Sequence, residues 1–274
     1  MQGTVVSSEP VVVQNLSVPI VDLPRALHGV RIAHISDLHF RRWDDVTRSA
    51  QELLLTLDYD LLAVTGDLGN FRRNWQKSGD LARQFFEPIA ERGAIYAVLG
   101  NHDDPRLADV DLPLRYLRNE SVSLDLSGVT LTLAGVDQSS PSAENLAVAL
   151  KGQHAHGPTI LLAHYPSTIY RLGAARVHLV LSGHTHGGQI HMPKWGCLWT
   201  NDRIPRRMSQ GLHDVAGTAI HISSGVGVSL PLLMRWNCPP EVAILTLISS
   251  PAFVDSASER QTSTPNPLFS GSFV

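Results

Sequence analysis

The 274-residue chain has only two cysteines, Cys197 and Cys238, too few for a disulfide framework or a four-thiolate zinc site. It has no basic excess either. Lys and Arg total 22 against 25 Asp and Glu, a formal net charge of −3, which excludes bulk electrostatic capture of a nucleic-acid scaffold. Long apolar runs are missing: the best, Val242 to Ile248, has strand length and falls far short of the ~18 residues of a membrane-spanning helix. The opening MQGTVVSSEP has neither the basic start nor the apolar stretch of a secretory signal, so the expected compartment is the cytoplasm. There is no G-x-S-x-G elbow and no G-x-x-x-x-G-K-[ST] loop, which removes two common catalytic grammars. At 43% hydrophobic and 17% charged, the chain is nonetheless rich enough for one sizeable core, and its length admits one large domain or two small ones. Thirteen histidines are many for this length, and their positions carry the argument.

Residues 1–29 hold short β-prone pieces, Thr4–Val6 and Val11–Val18, broken by Pro10 and Pro19, and read as an extension packed on the domain. From Val30 a repeated order appears: apolar run, polar cluster, helical pattern. RIAHIS (31–36), LLAVT (61–65) and IYAVL (95–99) are buried-strand candidates. Helical patterns follow them at Val46, Ala50, Leu53, Leu54 and Leu57, at Leu81–Arg92, and between Pro105 and Asn119. After Ser121 the style changes. VSLDL and VTLTLAG flank Ser127-Gly128 and predict a hairpin, and a short helix is expected near Ala143–Lys151. TILLA (159–163), VHLVLS (177–182), Ala219–Ser223 and Val242–Ile248 supply further strands. Strands that first alternate with helices and later pair in hairpins predict a mixed, two-sheet α/β domain over 30–248. Residues 249–274, rich in Ser, Thr and Pro without periodicity, are expected to be a disordered tail.

Chemistry-bearing residues follow the strands. RIAHIS leads into Asp37-Leu38-His39, LLAVT into Gly66-Asp67, and IYAVL into Gly100-Asn101-His102-Asp103. TILLA leads into His164, and VHLVLS into Gly183-His184-Thr185-His186. Singly these are bland: Asp-x-His is ordinarily a turn, Gly-Asp a turn with a helix cap, a solitary His a satisfied core residue. Jointly they place Asp, His and Asn at the C-terminal ends of five strands, the edge where α/β sheets bind ligands. Carboxylate, imidazole and amide oxygen without thiolate suit Mn²⁺, Fe²⁺ or Zn²⁺. Seven candidate ligands exceed the needs of one ion. Two ions ~3.5–4 Å apart, sharing a carboxylate, would use them all and suit in-line displacement at phosphorus.

In this order, DLH, GD, GNHD, a solitary His and GHTH resemble the calcineurin-like metallophosphoesterases. VPIVDLPRALHGVRIAHISDLH, LSGHTHGGQIHMP and SSGVGVSLPLLMRWNCPPEVAILTL are similar to the bacterial branch that includes UDP-2,3-diacylglucosamine pyrophosphatases. The resemblance implies two facing mixed sheets flanked by helices, a four-layer αββα sandwich. It implies a phosphodiesterase or pyrophosphatase with two divalent ions and a bridging hydroxide as nucleophile. Asp37, His39 and His186 would hold the first ion, Asn101, His164 and His184 the second, and Asp67 would bridge. His102 would contact the scissile phosphate and assist the leaving group; Asp103 would orient it or cap a helix. SSGVGVS lacks the lysine of a phosphate loop and reads as a turn rather than a phosphate cradle.

Arg, Trp and Leu gather in the loops beside these motifs: Phe40-Arg41-Arg42-Trp43, Phe71-Arg72-Arg73-Asn74-Trp75, Lys194-Trp195, Trp199, Arg203, Arg206, Arg207, and Leu230 to Trp236. All five tryptophans lie there, on one expected face. Arg41, Arg72, Lys194 and Arg235 are the candidate substrate contacts. The mixture suits a phosphate with a nucleobase, a lipid–water interface at the inner membrane, or plain loop packing. A lipid-linked nucleotide such as UDP-2,3-diacylglucosamine would meet the first two together. Soluble phosphodiesters come next, phosphoproteins third, and a non-catalytic metal-binding scaffold last. A monomer is expected.

Overall fold

The computed structural model describes residues 10–70, 72–140, 144–153, 157–229 and 234–250. Two six-stranded mixed sheets face each other. The first has β1 (Val12–Val21), β2 (Arg31–Ile35), β3 (Leu61–Val64), β4 (Ile95–Ala97), β5 (Arg115–Tyr116) and β14 (Glu241–Ser250), in the spatial order β1-β14-β2-β3-β4-β5. The second has β6 (Glu120–Leu126), β7 (Val129–Gly135), β8 (Thr159–Leu162), β9 (Leu179–Ser182), β12 (Gly211–Val215) and β13 (Thr218–Ile222), in the order β12-β13-β9-β8-β7-β6. A small ribbon, β10 (His191–Met192) with β11 (Gly196–Cys197), stands apart from both.

Strand alternation builds the layers. Ile32, Leu61 and Ala63 point between the sheets onto Leu133, Leu162, Leu179 and Leu181 of the second sheet. Their neighbours Ala33, Ile35, Leu62 and Val64 point outward, under α1 (Asp45–Thr56) and α2 (Trp75–Ala90), which contribute Leu54, Phe85, Phe86 and Ile89. Asp44 caps α1 by accepting from the Thr47 amide at 3.0 Å. The outer layer over the second sheet is thinner. It consists of α3 (Leu146–Ala149) and single 3₁₀ turns such as Pro166–Arg171 and Arg206–Met208, packed on Ala134, Leu161, Val180 and Ile220.

Several elements differ from expectation. The Val11–Val18 piece does not stop at Pro19: β1 runs through it, because β1 is an edge strand, where a residue without an N–H leaves no interior ladder bond unmade. No helix spans 105–119; Pro105–Asp109 is a 3₁₀ turn, and beyond it the short strand β5 is flanked by the buried Leu112 and Leu117. The expected helix near 143–151 shrinks to four residues. The Ser127-Gly128 hairpin is there, both residues at positive φ (55° and 77°), as a two-residue turn between twisted strands requires. The Thr4–Val6 piece, residue 143 and the expected tail beyond 250 lie outside the described residues.

Candidate metal centre

The five motifs come from both sheets, three from the first and two from the second, not from one sheet edge. Loops after β2, β3 and β4 carry Asp37 and His39, Asp67, and Asn101; loops after β8 and β9 carry His164, and His184 and His186. The two C-terminal edges meet, and the side chains converge in two groups. Asp37, His39 and His186 form one, and Asp67, His164 and His184 the other, with the potential ligand atoms of each group within 4.8 Å of one another. His39 Nε2 and His186 Nε2 are 3.0 Å apart, and His186 Nε2 is 3.4 Å from Asp37 Oδ1. Asn101 Oδ1 joins the second group 3.1 Å from His164 Nε2. Asp67 links the groups: its Oδ2 lies 3.2 Å from His164 Nε2 and 3.7 Å from His39 Nε2.

Backbone strain is concentrated here. Asp37, His39, Asp67, His184 and His186 all have φ between 45° and 68°, a region non-glycine residues seldom enter. Neighbouring backbone holds them there. The His39 amide donates to Asp67 O at 2.9 Å, the His184 amide to Asp37 Oδ2 at 3.0 Å, and the His102 amide to Asp67 Oδ1 at 2.8 Å. Glycine permits the close approach. A Cβ on Gly100 would overlap Asp67 Oδ1 and come within 2.7 Å of the Asp67 amide nitrogen, so loop 66–70 can lie against loop 100–103 only because that atom is missing. His164 Nδ1 is 2.8 Å from Thr65 O; donation there leaves Nε2 facing Asp67 and Asn101, with a lone pair toward them when the ring is neutral.

The electrostatics describe a site short of positive charge. Burial pushes the Asp37 carboxyl up to about 6 and the His39 imidazole down to about 3. His184 falls to about 4 and His186 well below the usual imidazole range, again chiefly through burial. Burial opposes both charges of the Asp67–His164 pair too, but their mutual attraction outweighs it, holding Asp67 below the carboxylate range and lifting His164 to about 10. Neutral imidazoles aim lone pairs at one another and at carboxylates, and the buried Nδ1 atoms of His39 and His186 have no partner. Such a donor set fits divalent cations: they favour ionised carboxylate, which burial alone resists, and neutral imidazole, which burial already favours.

Sequence-based expectations fare differently around this centre. His102 is half-buried, its ring 5.1 Å from that of His39 and edge-on to it. Asp103 neither orients His102 nor caps the helix. Its two carboxyl oxygens accept from the amides of Gly69 (2.7 Å) and Gly100 (3.0 Å), tying together the loops that carry Asp67 and Asn101, and the cap of the 105–109 turn is Asp104. Gly225 and Gly227 of SSGVGVS let that backbone run along Asp37 and Leu38, with the Gly227 amide donating to Asp37 O at 2.7 Å. The expectation of a substrate-facing Arg235 is corrected: the residue is buried, and its guanidinium donates to the carbonyls of Ser224, Gly225, Gly227 and Cys238, so it holds this loop rather than a ligand. Arg72 donates to the carbonyls of Asn101 and Ser139. Lys194 is exposed at the turn of the β10–β11 ribbon.

The tryptophans differ in their surroundings. Trp43 packs edge-on against Phe85, and Trp75 lies under the Arg106 guanidinium at 4.8 Å. Trp195, Trp199 and Trp236 are exposed, with Leu198 and Met234 beside them in sequence. Phe71, the Arg73 side chain and residues 230–233 lie outside the described residues. Tyr165 is a site neighbour that sequence reasoning missed. Its ring is 4.4 Å from His184 and 5.4 Å from His164, and burial raises its phenol to about 12. Only its place directly after His164 could have flagged it.

Comparison with known proteins agrees with this chemistry. The family model described as calcineurin-like phosphoesterase matches residues 30–188. The metallophosphoesterase YkoQ of Bacillus subtilis is 31% identical over 251 residues, 86% of this chain and 90% of that protein. The phosphodiesterase YaeI of Escherichia coli is 26% identical over 236 residues, covering 80% and 82%. Among solved structures, TT1561 of Thermus thermophilus superposes with a TM-score of 0.46 at 14% identity, over 72% of this chain and 90% of that one. Among the described residues no helix is long and apolar enough to cross a membrane.

Proposed function

The chain belongs to the calcineurin-like phosphoesterase family, a family of phosphoric ester hydrolases that use two divalent metals, and from that premise we propose a role for each residue of the centre. Asp37, His39 and His186 hold one ion, Asn101, His164 and His184 the other, and Asp67 serves both. The observation that carries this is the position of Asp67 Oδ2, within 4 Å of an imidazole nitrogen from each group. Two ions there would supply Lewis acidity, neutralising phosphoryl charge and lowering the pKa of water.

The chain's own residues do the rest. Thr65 O fixes the His164 tautomer, and the Asp103 clamp holds the Asp67 and Asn101 loops in register. His102 is no metal ligand in this reading. Its backbone orients Asp67, and its half-exposed imidazole is free to donate a proton to the departing alkoxide. Arg41 and Arg72, on the loops just past His39 and Asp67, are candidate phosphate contacts, with Lys194 more distant on the ribbon.

For the substrate we propose a phosphodiester or pyrophosphate, with a lipid-linked nucleotide such as UDP-2,3-diacylglucosamine as the leading candidate and a soluble diester as the second. The exposed Trp195 (77%), Trp199 (66%) and Trp236 (44%), accompanied by exposed Lys194, Arg203, Arg206 and Arg207, favour a lipid surface. The test is turnover by metal-reconstituted protein of a nitrophenyl phosphodiester, the matching monoester, cyclic nucleotides and UDP-2,3-diacylglucosamine. Preference for a soluble diester over the lipid nucleotide removes the lipid candidate. No turnover of any of them with Mn²⁺, Fe²⁺ or Zn²⁺ refutes the assignment.

A further inference from the structure

Next to the metal groups, Phe40 and Gly69 pair as a parallel bridge, and beyond them opens a cavity of about 240 Å³ lined by Phe40, Arg41, Asn70, Asn74, Lys77 and Ser78. At ~30 Å³ per water it has room for roughly eight waters, or for a phosphate or carboxylate and part of what it is attached to. Arg41 follows His39 by two residues, and Asn70 follows Asp67 by three. Three residues span at most about 11 Å, so the cavity is within a substrate's length of the proposed bridging carboxylate.

Two of the lining residues carry a buried donor that has nothing to bond. Asn70 is 5% exposed, its Oδ1 accepts from Arg41 Nη2 at 3.2 Å, and its Nδ2 has no partner. Arg41 Nε is likewise buried and unpartnered. Lys77, exposed in the first turn of α2, adds a full positive charge, and none of the six lining residues is acidic. A buried donor without an acceptor costs free energy, and two of them, one on the Arg41 guanidinium itself, with the Lys77 ammonium in the same lining, are poorly matched by an apolar ligand. An oxyanion is the complement: it has several lone pairs, and charge-assisted bonds from guanidinium and ammonium favour it. The Phe40 ring on one wall suits an apolar spacer.

We propose that this cavity is an anion subsite that receives a second oxyanion of the substrate, a phosphate or carboxylate distinct from the ester being hydrolysed. The proposal rests on the phosphoesterase reading of the adjacent centre. It narrows the substrate class to phosphoesters that carry a further anionic group a few bonds from the reacting phosphorus.

The test uses 4-nitrophenyl phosphodiesters whose second alcohol ends in a methyl, a carboxylate or a phosphate, over a series of spacer lengths, with metal-loaded full-length protein. At the best spacer, kcat/KM should favour an anionic end over methyl by about tenfold or more, mainly through KM, and the carboxylate and phosphate arms separate the two sources of charge. Lys77→Ala and, separately, Asn70→Asp should erase that preference; Lys77 is exposed, so its variant tests the idea without burdening the fold. An independent readout is anomalous diffraction from selenate soaked into metal-loaded crystals, with density expected in the cavity beside Asn70 and Arg41 in the wild type and lost in Asn70→Asp. Equal kcat/KM for methyl and anionic ends, or a preference that survives both variants, overturns the proposal. Selenate density that persists in both variants marks an adventitious ion only, and also overturns it. If no diester is hydrolysed, the phosphoesterase reading falls, while the selenate arm still decides whether the cavity binds anions.

Discussion

Asp67→Asn is the most revealing single change, because one carboxylate is bonded or close to three loops. At 3.2 Å and an effective dielectric of 20, its attraction to a protonated His164 is about 5 kcal/mol before burial is subtracted. Breaking a buried pair ordinarily costs ~3–5 kcal/mol because a charge is stranded; His164 can instead shed its proton, so the net loss falls to roughly 1–3 kcal/mol. For a domain of this size that is a drop of roughly 3–10 °C in the Tm of chelator-treated protein. The sign with pH is specific. The His164 pKa is raised to about 10 in the folded state, so the pair's contribution is complete below the ordinary imidazole value of 6.5 and is lost as pH climbs through 10. Denaturant melts of wild type and variant at pH 7, 8.5 and 10 should therefore converge as pH rises. Metal analysis completes the assay: the variant's amide offers no shared anion, so bound metal should fall below two ions per chain and diester hydrolysis should collapse. An Asp67→Asn protein that keeps two ions, near-wild-type turnover and a constant stability gap across that pH range would refute the bridging argument.

Three further outcomes are expected. His102→Ala should retain both ions by elemental analysis and lose on the order of 10²-fold in turnover; lost metal, with activity restored by excess metal, would make His102 a ligand. Gly100→Ala forces a methyl onto Asp67 Oδ1 and should destabilise by roughly 1–3 kcal/mol in denaturant melts while weakening metal retention, whereas unchanged values would mean the loops separate freely. The double change Trp195→Ala with Trp236→Ala should reduce flotation with anionic vesicles, and salt should weaken what binding remains, since Lys194, Arg206 and Arg207 act through a screened surface potential; wild-type protein that never floats would end the interfacial reading.

Much of this protein is legible in one dimension where the signal is local. Apolar runs of strand length ending in Asp, His or Asn identify β2, β3, β4, β8 and β9 and nearly every polar group of the centre, because a strand delivers the residue after its last rung to the sheet edge whatever surrounds it. The Ser127-Gly128 turn is equally local. What the chain alone leaves undecided depends on partners distant in sequence. Pro19 looks like a strand breaker until β14 is known to lie on only one side of β1. Asp103 looks like a partner for His102 until Gly69, 34 residues earlier, supplies the amide it accepts from. Arg235 looks like a phosphate contact until the 224–227 carbonyls fold around it, and Trp43 is one rim residue among five tryptophans until Phe85 packs on its edge. The convergence of the polar groups into two clusters, and the unbonded donors of Arg41 and Asn70, belong to the same class. Residue type sets which bonds a side chain is able to make, but only the packing of two sheets decides which partners come near and which groups are left with none.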